Sequence, residues 1–129
     1  MFKKILLLSL MLVSLVLSAC SITVNVPNAV RGSGNVTTEE RSVSGFTGVA
    51  LVGIGRMEVV VGDTESLVIE AEENLLPYLI SEVKDGRLIV RIANGVNLRP
   101  TKPVRYTVTV KSLDNLEVGG SGDVICKSV

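Results

Sequence analysis

The stretch VRYTVTVK, residues 104–111, decides the fold. Val104, Tyr106, Val108 and Val110 are apolar, while Arg105, Thr107, Thr109 and Lys111 between them are polar. Successive strand side chains point to opposite faces, so this alternation predicts a strand with one face in a core and one in water. Shorter β-branched runs flank it at Val49–Val52, Met57–Val61, Leu67–Ala71, Leu88–Ile92 and Leu116–Val118, separated by Gly or Asp-Gly. Asp85-Gly86, between Val83 and Leu88, predicts a tight turn, because Gly tolerates the positive φ that hairpin turns need. The only helical suggestion runs from Glu72 to Leu79, and Pro77 limits it to a turn or two. The chain is expected to be all-β.

At 129 residues there is room for one small domain once any targeting segment is set aside. Residues 20–129 carry 11 basic and 13 acidic side chains, close to neutral, with no basic run and only four aromatics in the whole chain. Nucleic acid is therefore not an expected partner. No histidine is present, which removes the commonest general base and nitrogen ligand and argues against most hydrolase and zinc-site chemistry.

The chain opens with Lys3-Lys4 and a run of 13 apolar or small residues, Ile5 to Leu17, the plan of a secretory leader. Leu17-Ser18-Ala19-Cys20 then resembles the bacterial lipobox. That resemblance implies cleavage before Cys20 and a diacylglyceryl group on its sulfur, which would then have no redox or ligand role. A single acyl chain binds a membrane reversibly, whereas two or more hold. The expected organisation is a signal peptide over residues 1–19, a tether over 20–30 following lipidated Cys20, and a β domain over 31–129. The rival is an uncleaved anchor, since Ile5 to Val24 gives 20 residues without a charge. Either way the domain lies outside the cytoplasm. Ser21 rather than Asp after the cysteine favours the outer membrane in a Gram-negative cell, and in a Gram-positive one the site is the outer face of the cell membrane. Cys126 is expected to be a small buried apolar residue near the chain end.

Gly32-Ser33-Gly34-Asn35-Val36, Gly53-Ile54-Gly55-Arg56-Met57 and Gly120-Ser121-Gly122-Asp123-Val124 share one plan, and the second gap between their starts is close to three times the first. That spacing suits stacked coils of about 21 or 22 residues in a β-solenoid, and it equally allows a β-sandwich with glycine corners. A phosphate cradle is not expected: a P-loop pattern is missing, and no helix is predicted after any copy.

Residues 31 to 124, from RGSGNVTTEER through VSGFTGVAL, ESLVIEAEENLLP, VKDGRL and LRPTKPVRYTVTV to GGSGDV, resemble the bacterial head GIN domain, an auto-transporter adhesin family. The resemblance implies a right-handed parallel β-helix in an exported protein or lipoprotein, with no catalytic residue, metal or cofactor. Family members usually continue with further Gly-Ser-Gly repeats, whereas this sequence ends five residues after GSGDV. The expectation is a β-helix incomplete at its C-terminal end, with Val124 and Ile125 on an uncapped edge prone to self-association.

Glu39-Glu40 and Glu72-Glu73 are candidate acid and base pairs, and Asp63, Asp85 and Asp123 candidate calcium ligands. Neighbouring carboxylates on a strand diverge, and Asp beside Gly favours turns, so solvated surface is the expected role of them all. Arg99-Pro100-Thr101-Lys102-Pro103 reads as a rigid basic loop facing a neighbour. Two functions follow. The first is a non-enzymatic envelope lipoprotein binding a cell-surface protein or polysaccharide. The second is a carbohydrate-active β-helix enzyme, for which the chain offers few aromatics to stack sugars on.

Overall fold

The computed structural model describes residues 29–128. They form eleven strands: β1 Ala29–Arg31, β2 Val36–Arg41, β3 Gly48–Gly53, β4 Arg56–Val61, β5 Ser66–Glu72, β6 Leu79–Lys84, β7 Arg87–Ile92, β8 Asn97–Arg99, β9 Arg105–Val110, β10 Asn115–Gly120 and β11 Asp123–Ser128. The alternating stretch is β9, with Tyr106, Val108 and Val110 buried. β1 begins at Ala29, slightly ahead of the expected start of the domain. Asp85 and Gly86 both take positive φ, 53° and 74°, and join β6 to β7 as an antiparallel hairpin closed by the pair Lys84 and Arg87. Pro77 sits in a single 3₁₀ turn, Leu76–Tyr78, the whole of the helical suggestion.

Three sheets result, with orders β1-β8, β10-β3-β7-β6 and β11-β4-β9-β5-β2. Pairing is parallel within β10-β3-β7, β11-β4-β9 and β1-β8, and antiparallel where β6, β5 and β2 join. The described residues are all-β apart from that one 3₁₀ turn, as expected, and their sheets are mixed and open. Inward residues of both large sheets share one core: Val49, Leu51, Leu88 and Val90 from one, Met57, Val59, Leu67, Ile69 and Val108 from the other, each at most 1% exposed. Burying a side chain of this size stabilises a fold by roughly 1.5–3 kcal/mol, so this interior holds the two sheets together.

The regular coil period suggested by the glycine spacing does not describe how the copies stack. The third copy lies directly on the second, with Ser121 N–H donating to the Gly53 carbonyl and Asp123 N–H to that of Gly55, at 2.9 and 3.0 Å. Below the second copy comes the 100–104 corner, where Arg56 N–H reaches the Val104 carbonyl. The first copy lies beyond that corner, with Gly32 N–H on the Arg99 carbonyl. Spatial order departs from chain order because β5 to β9 leave the column after β4 and return beneath it.

The two ends of the stack differ. At the β2 and β6 end, Arg41 donates to the carbonyls of Leu79 and Leu76 and pairs with Glu39 at 2.6 Å, a polar plug under the core. Among the described residues, β10 and β11 at the other end, like β2 and β6, each have a strand partner on one side only, and no comparable side-chain plug is present there. Their inward Leu116 and Val118 are 38% and 50% exposed, although they extend the rows of Val49 and Leu51.

Candidate functional site

Cys20 and the leader lie outside the described residues. Within them, the least expected group is Glu72, the last residue of β5, which is fully buried. Strand alternation turns it away from the core residues Ile69 and Ala71, onto a side covered by two corners that sequence places far away. Its Oε1 accepts from the backbone N–H of Thr101 (2.6 Å) and Lys102 (2.9 Å). Its Oε2 accepts from Gly34 N–H (2.6 Å) and the Thr101 hydroxyl (2.7 Å). A Cβ on Gly32 would collide with this carboxylate. Burial alone would raise its pKa, but the four hydrogen bonds, that of the Thr101 hydroxyl foremost, override it and hold the group at about 2. Asn74 completes the knot by accepting from Ser33 N–H and donating to the Arg31 carbonyl.

Glu72 is therefore not the solvated surface residue expected of it, and residues 99–103 are not simply a basic loop facing a neighbour. The loop's backbone wraps a buried anion. No local signal in the sequence could have paired Glu72 with Thr101 and Gly34, because the bonds span 29 and 38 residues. A carboxylate this well satisfied stays ionised and transfers no proton near neutral pH. Glu73 diverges from it and is exposed, within reach of the Asn35 side chain at 3.4 Å. Glu39 is held by Arg41, and Glu40 is exposed. Neither doublet converges on a point. Among the described residues no cluster of three or more Cys, Asp or Glu side chains could hold a metal ion.

The accessible chemistry lies on the outer faces of the two large sheets. Across the five-stranded sheet one row reads Asp123, Arg56, Arg105, Glu70, Thr38, each beside the next. Neither arginine makes an ion pair among the described residues, and both line a shallow cleft of about 440 Å³ with Glu58, Glu70, Thr107 and Lys127. On the four-stranded sheet Arg87 passes over Gly48 to reach Glu117 at 2.7 Å, and Arg91 pairs with Glu82. Beside them is a cleft of about 540 Å³ lined by Thr47, Lys84, Asp114 and Asn115 among others. Both surfaces are polar. Phe46 and Tyr106 are buried, Tyr106 with its hydroxyl on the Ile54 carbonyl, and Tyr78 is half-buried. Neither face offers an aromatic platform. Cys126 is exposed on β11, not buried as expected, because no further described strand covers that edge. No described helix is long and apolar enough to cross a membrane.

This architecture has counterparts among solved structures. A protein of Bacteroides fragilis described as a "putative adhesin" superposes with a TM-score of 0.70 at 22% identity, over 76% of this chain and 46% of that one. A "putative lipid binding protein" of Parabacteroides distasonis gives 0.69 at 30% identity, over 77% and 44%. A "putative adhesin" of the same species gives 0.71 at 23%, over 78% and 42%. The chain thus spans less than half the length of these structures. No curated protein matches it. A family model described as "Putative auto-transporter adhesin, head GIN domain" matches residues 45–129, most of the chain, beginning just before the first strand of the glycine-cornered stack. The chain belongs to the head GIN family.

Proposed function

We propose that this chain is an exported lipoprotein, held to a membrane by lipid on Cys20, whose head GIN domain is a non-enzymatic binding module of the cell envelope. The observation that carries the reading is the joining of a leader ending in Leu17-Ser18-Ala19-Cys20 to a family named for adhesins. The signal peptide covers residues 1–19, and the tether leads from Cys20 into the domain at about residue 30. We read the parallel ladders β10-β3-β7 and β11-β4-β9 as coils of a short right-handed β-helix, with β2, β5 and β6 closing one end. The partner is a surface protein or polysaccharide meeting the polar outer faces. A carbohydrate-active enzyme would need two converging carboxylates and a stacking surface; the carboxylate doublets diverge and the aromatics are withdrawn.

The test is metabolic labelling with a clickable palmitate analogue in cells making the wild-type chain or Cys20→Ala. Label on the wild type alone is expected. Equal incorporation in both would refute attachment at Cys20, and release of the wild-type chain into the medium would refute anchoring.

A further inference from the structure

We infer that the outer face of the five-stranded sheet binds an acidic polysaccharide, with Arg56 and Arg105 together holding one of its anionic groups. The inference rests on the proposed role as a binding module and names the class of partner.

Alternation along β4 and β9 puts Met57 and Tyr106 in the core and turns Arg56 and Arg105 outward, where both are exposed. The parallel register sets the two arginines side by side, on strands about 4.8 Å apart. Like charges so placed repel, and folding gains nothing from the pairing. Asp123 and Glu70 flank them in the same row, yet neither closes an ion pair with its arginine among the described residues. On the other large sheet the outward arginines are both committed, Arg87 to Glu117 and Arg91 to Glu82. Arg56 and Arg105 therefore keep their planar forks of N–H donors available to a ligand. β4, β9 and β5, which carry the centre of the site, each have strand partners on both sides, so the site does not depend on either edge of the sheet.

The two forks fit a carboxylate or a sulfate, whose oxygens accept hydrogen bonds in pairs. What surrounds them selects the chain that carries the anion. Two residues on from Arg56, about 7 Å along the strand, stands Glu58, whose Oε1 takes the Lys127 ammonium at 3.2 Å and leaves Oε2 to accept from another donor. Glu70 stands beside Arg105 on the side away from Arg56. With Thr38 and Thr107 these groups line the shallow cleft of about 440 Å³, within the range of ligand sites.

An ionised carboxylate only accepts hydrogen bonds, so Glu58 and Glu70 suit hydroxyl donors and repel further anions. A polyanion charged at every short step, such as polyphosphate or an acidic run of polypeptide, would set like charge against both. A sugar chain whose anionic groups are separated by neutral units meets the face differently. It places one anion on the arginine pair and its hydroxyls on the flanking carboxylates and threonines. Charge and hydrogen bonds carry this recognition, so the absence of an aromatic platform on the described face does not oppose it.

The test uses the purified full chain in uncharged detergent and end-labelled oligosaccharides read by fluorescence anisotropy. Hyaluronan oligosaccharides carry only carboxylates, alternating with neutral sugars, and keratan sulfate oligosaccharides carry only sulfates. At least one should bind, which identifies the anion, and removing that anion by carboxyl reduction or desulfation should weaken binding by about tenfold or more. Arg56→Gln and Arg105→Gln should each cost about tenfold in affinity, with urea midpoints near that of the wild type, because both side chains are exposed and outside any ion pair. Arg87→Gln, on the other sheet, should bind as the wild type does. Binding of neither oligosaccharide, equally tight binding of poly-glutamate or polyphosphate, or undiminished binding by the Arg56 and Arg105 variants would overturn the inference. Palmitate label on Cys20 with no sugar bound would strike this inference and leave the anchored-lipoprotein reading in place, and sugar bound without label would do the reverse.

Discussion

Gly120→Ala tests whether the corners are stacked as tightly as the hydrogen bonds imply. Gly120 has φ of 75°, a left-handed conformation that costs a residue with a Cβ about 1–2 kcal/mol. The added Cβ would lie 2.8 Å from the Gly53 carbonyl oxygen and 3.1 Å from the Gly53 nitrogen. These are backbone atoms of the paired strand β3, and they cannot withdraw without breaking the β10–β3 ladder. Overpacking of this kind adds about 1–3 kcal/mol, for a total of about 2–5 kcal/mol. Gly34 has a similar φ of 86°, yet nothing lies within 4 Å of its would-be Cβ, so Gly34→Ala should cost only the conformational share, about 1–2 kcal/mol. Urea unfolding of the two variants and the wild type gives the comparison directly. Amide exchange adds a local reading: Gly120→Ala should unprotect the Ser121 and Asp123 amides, which bond to Gly53 and Gly55. If both variants lose the same stability and those two amides stay protected, the corner column is not the close contact described.

Further outcomes follow from single side chains. Glu72 is held at about 2 against an ordinary 4.5, so its stabilising contribution is complete above pH 4.5 and is lost as pH falls toward 2; Glu72→Gln should flatten that limb of a stability-pH curve and lower stability at neutral pH, because an amide cannot accept all four bonds. Tyr106, pushed up to about 12 by burial with Arg41 pulling it partly back, stabilises fully below pH 10 and loses that contribution as pH rises through 12. Tyr106→Phe should remove this alkaline loss and cost about 1 kcal/mol at pH 7 for the lost bond to Ile54, read by denaturant titration. Arg41→Met should destabilise by about 2 kcal/mol in the same titration, since it leaves the Leu76 and Leu79 carbonyls without their charged donor. Dilute native chain should label at Cys126 with a maleimide without denaturant, as an exposed thiol does.

β9 and β7 are legible in the sequence because one face meets the core and the other water. β3, buried on both faces, and β10, exposed on both, show through only as short apolar, β-branched runs. β6, with Leu79 buried but Val83 39% exposed, keeps only part of such a pattern and is not legible as a strand. β11 fails differently. Its inward residues Val124 and Cys126 and its outward Ile125 are all partly or largely exposed, so the apolar and polar faces do not separate. The buried-cysteine expectation falls with it: free thiols are commonly interior, but among the described residues no strand covers the outer side of β11.

The stacking order is hidden for a physical reason. The glycines leave room for a close neighbour, backbone at Gly55 and Gly120 and a side chain at Gly32, so the copies announce close approach without saying to what. Gly120 approaches Gly53, and Gly32 approaches the Glu72 carboxylate, each pair brought together from distant parts of the chain. Those contacts also explain Glu72. β5 runs antiparallel between β9 and β2, and its end separates the 100–104 corner from the 32–35 corner. Apart from the Gly32 N–H bond to the Arg99 carbonyl, the two corners do not bond to each other, and their N–H groups at Gly34, Thr101 and Lys102 turn to the Glu72 carboxylate. One ionised carboxylate accepts from all three, which an apolar or neutral residue could not do. A buried charge at the edge of an otherwise apolar interior is thus the consequence of inserting an antiparallel strand into a parallel stack. Through that one side chain the end of β5 is tied to both the 32–35 and the 100–104 corners.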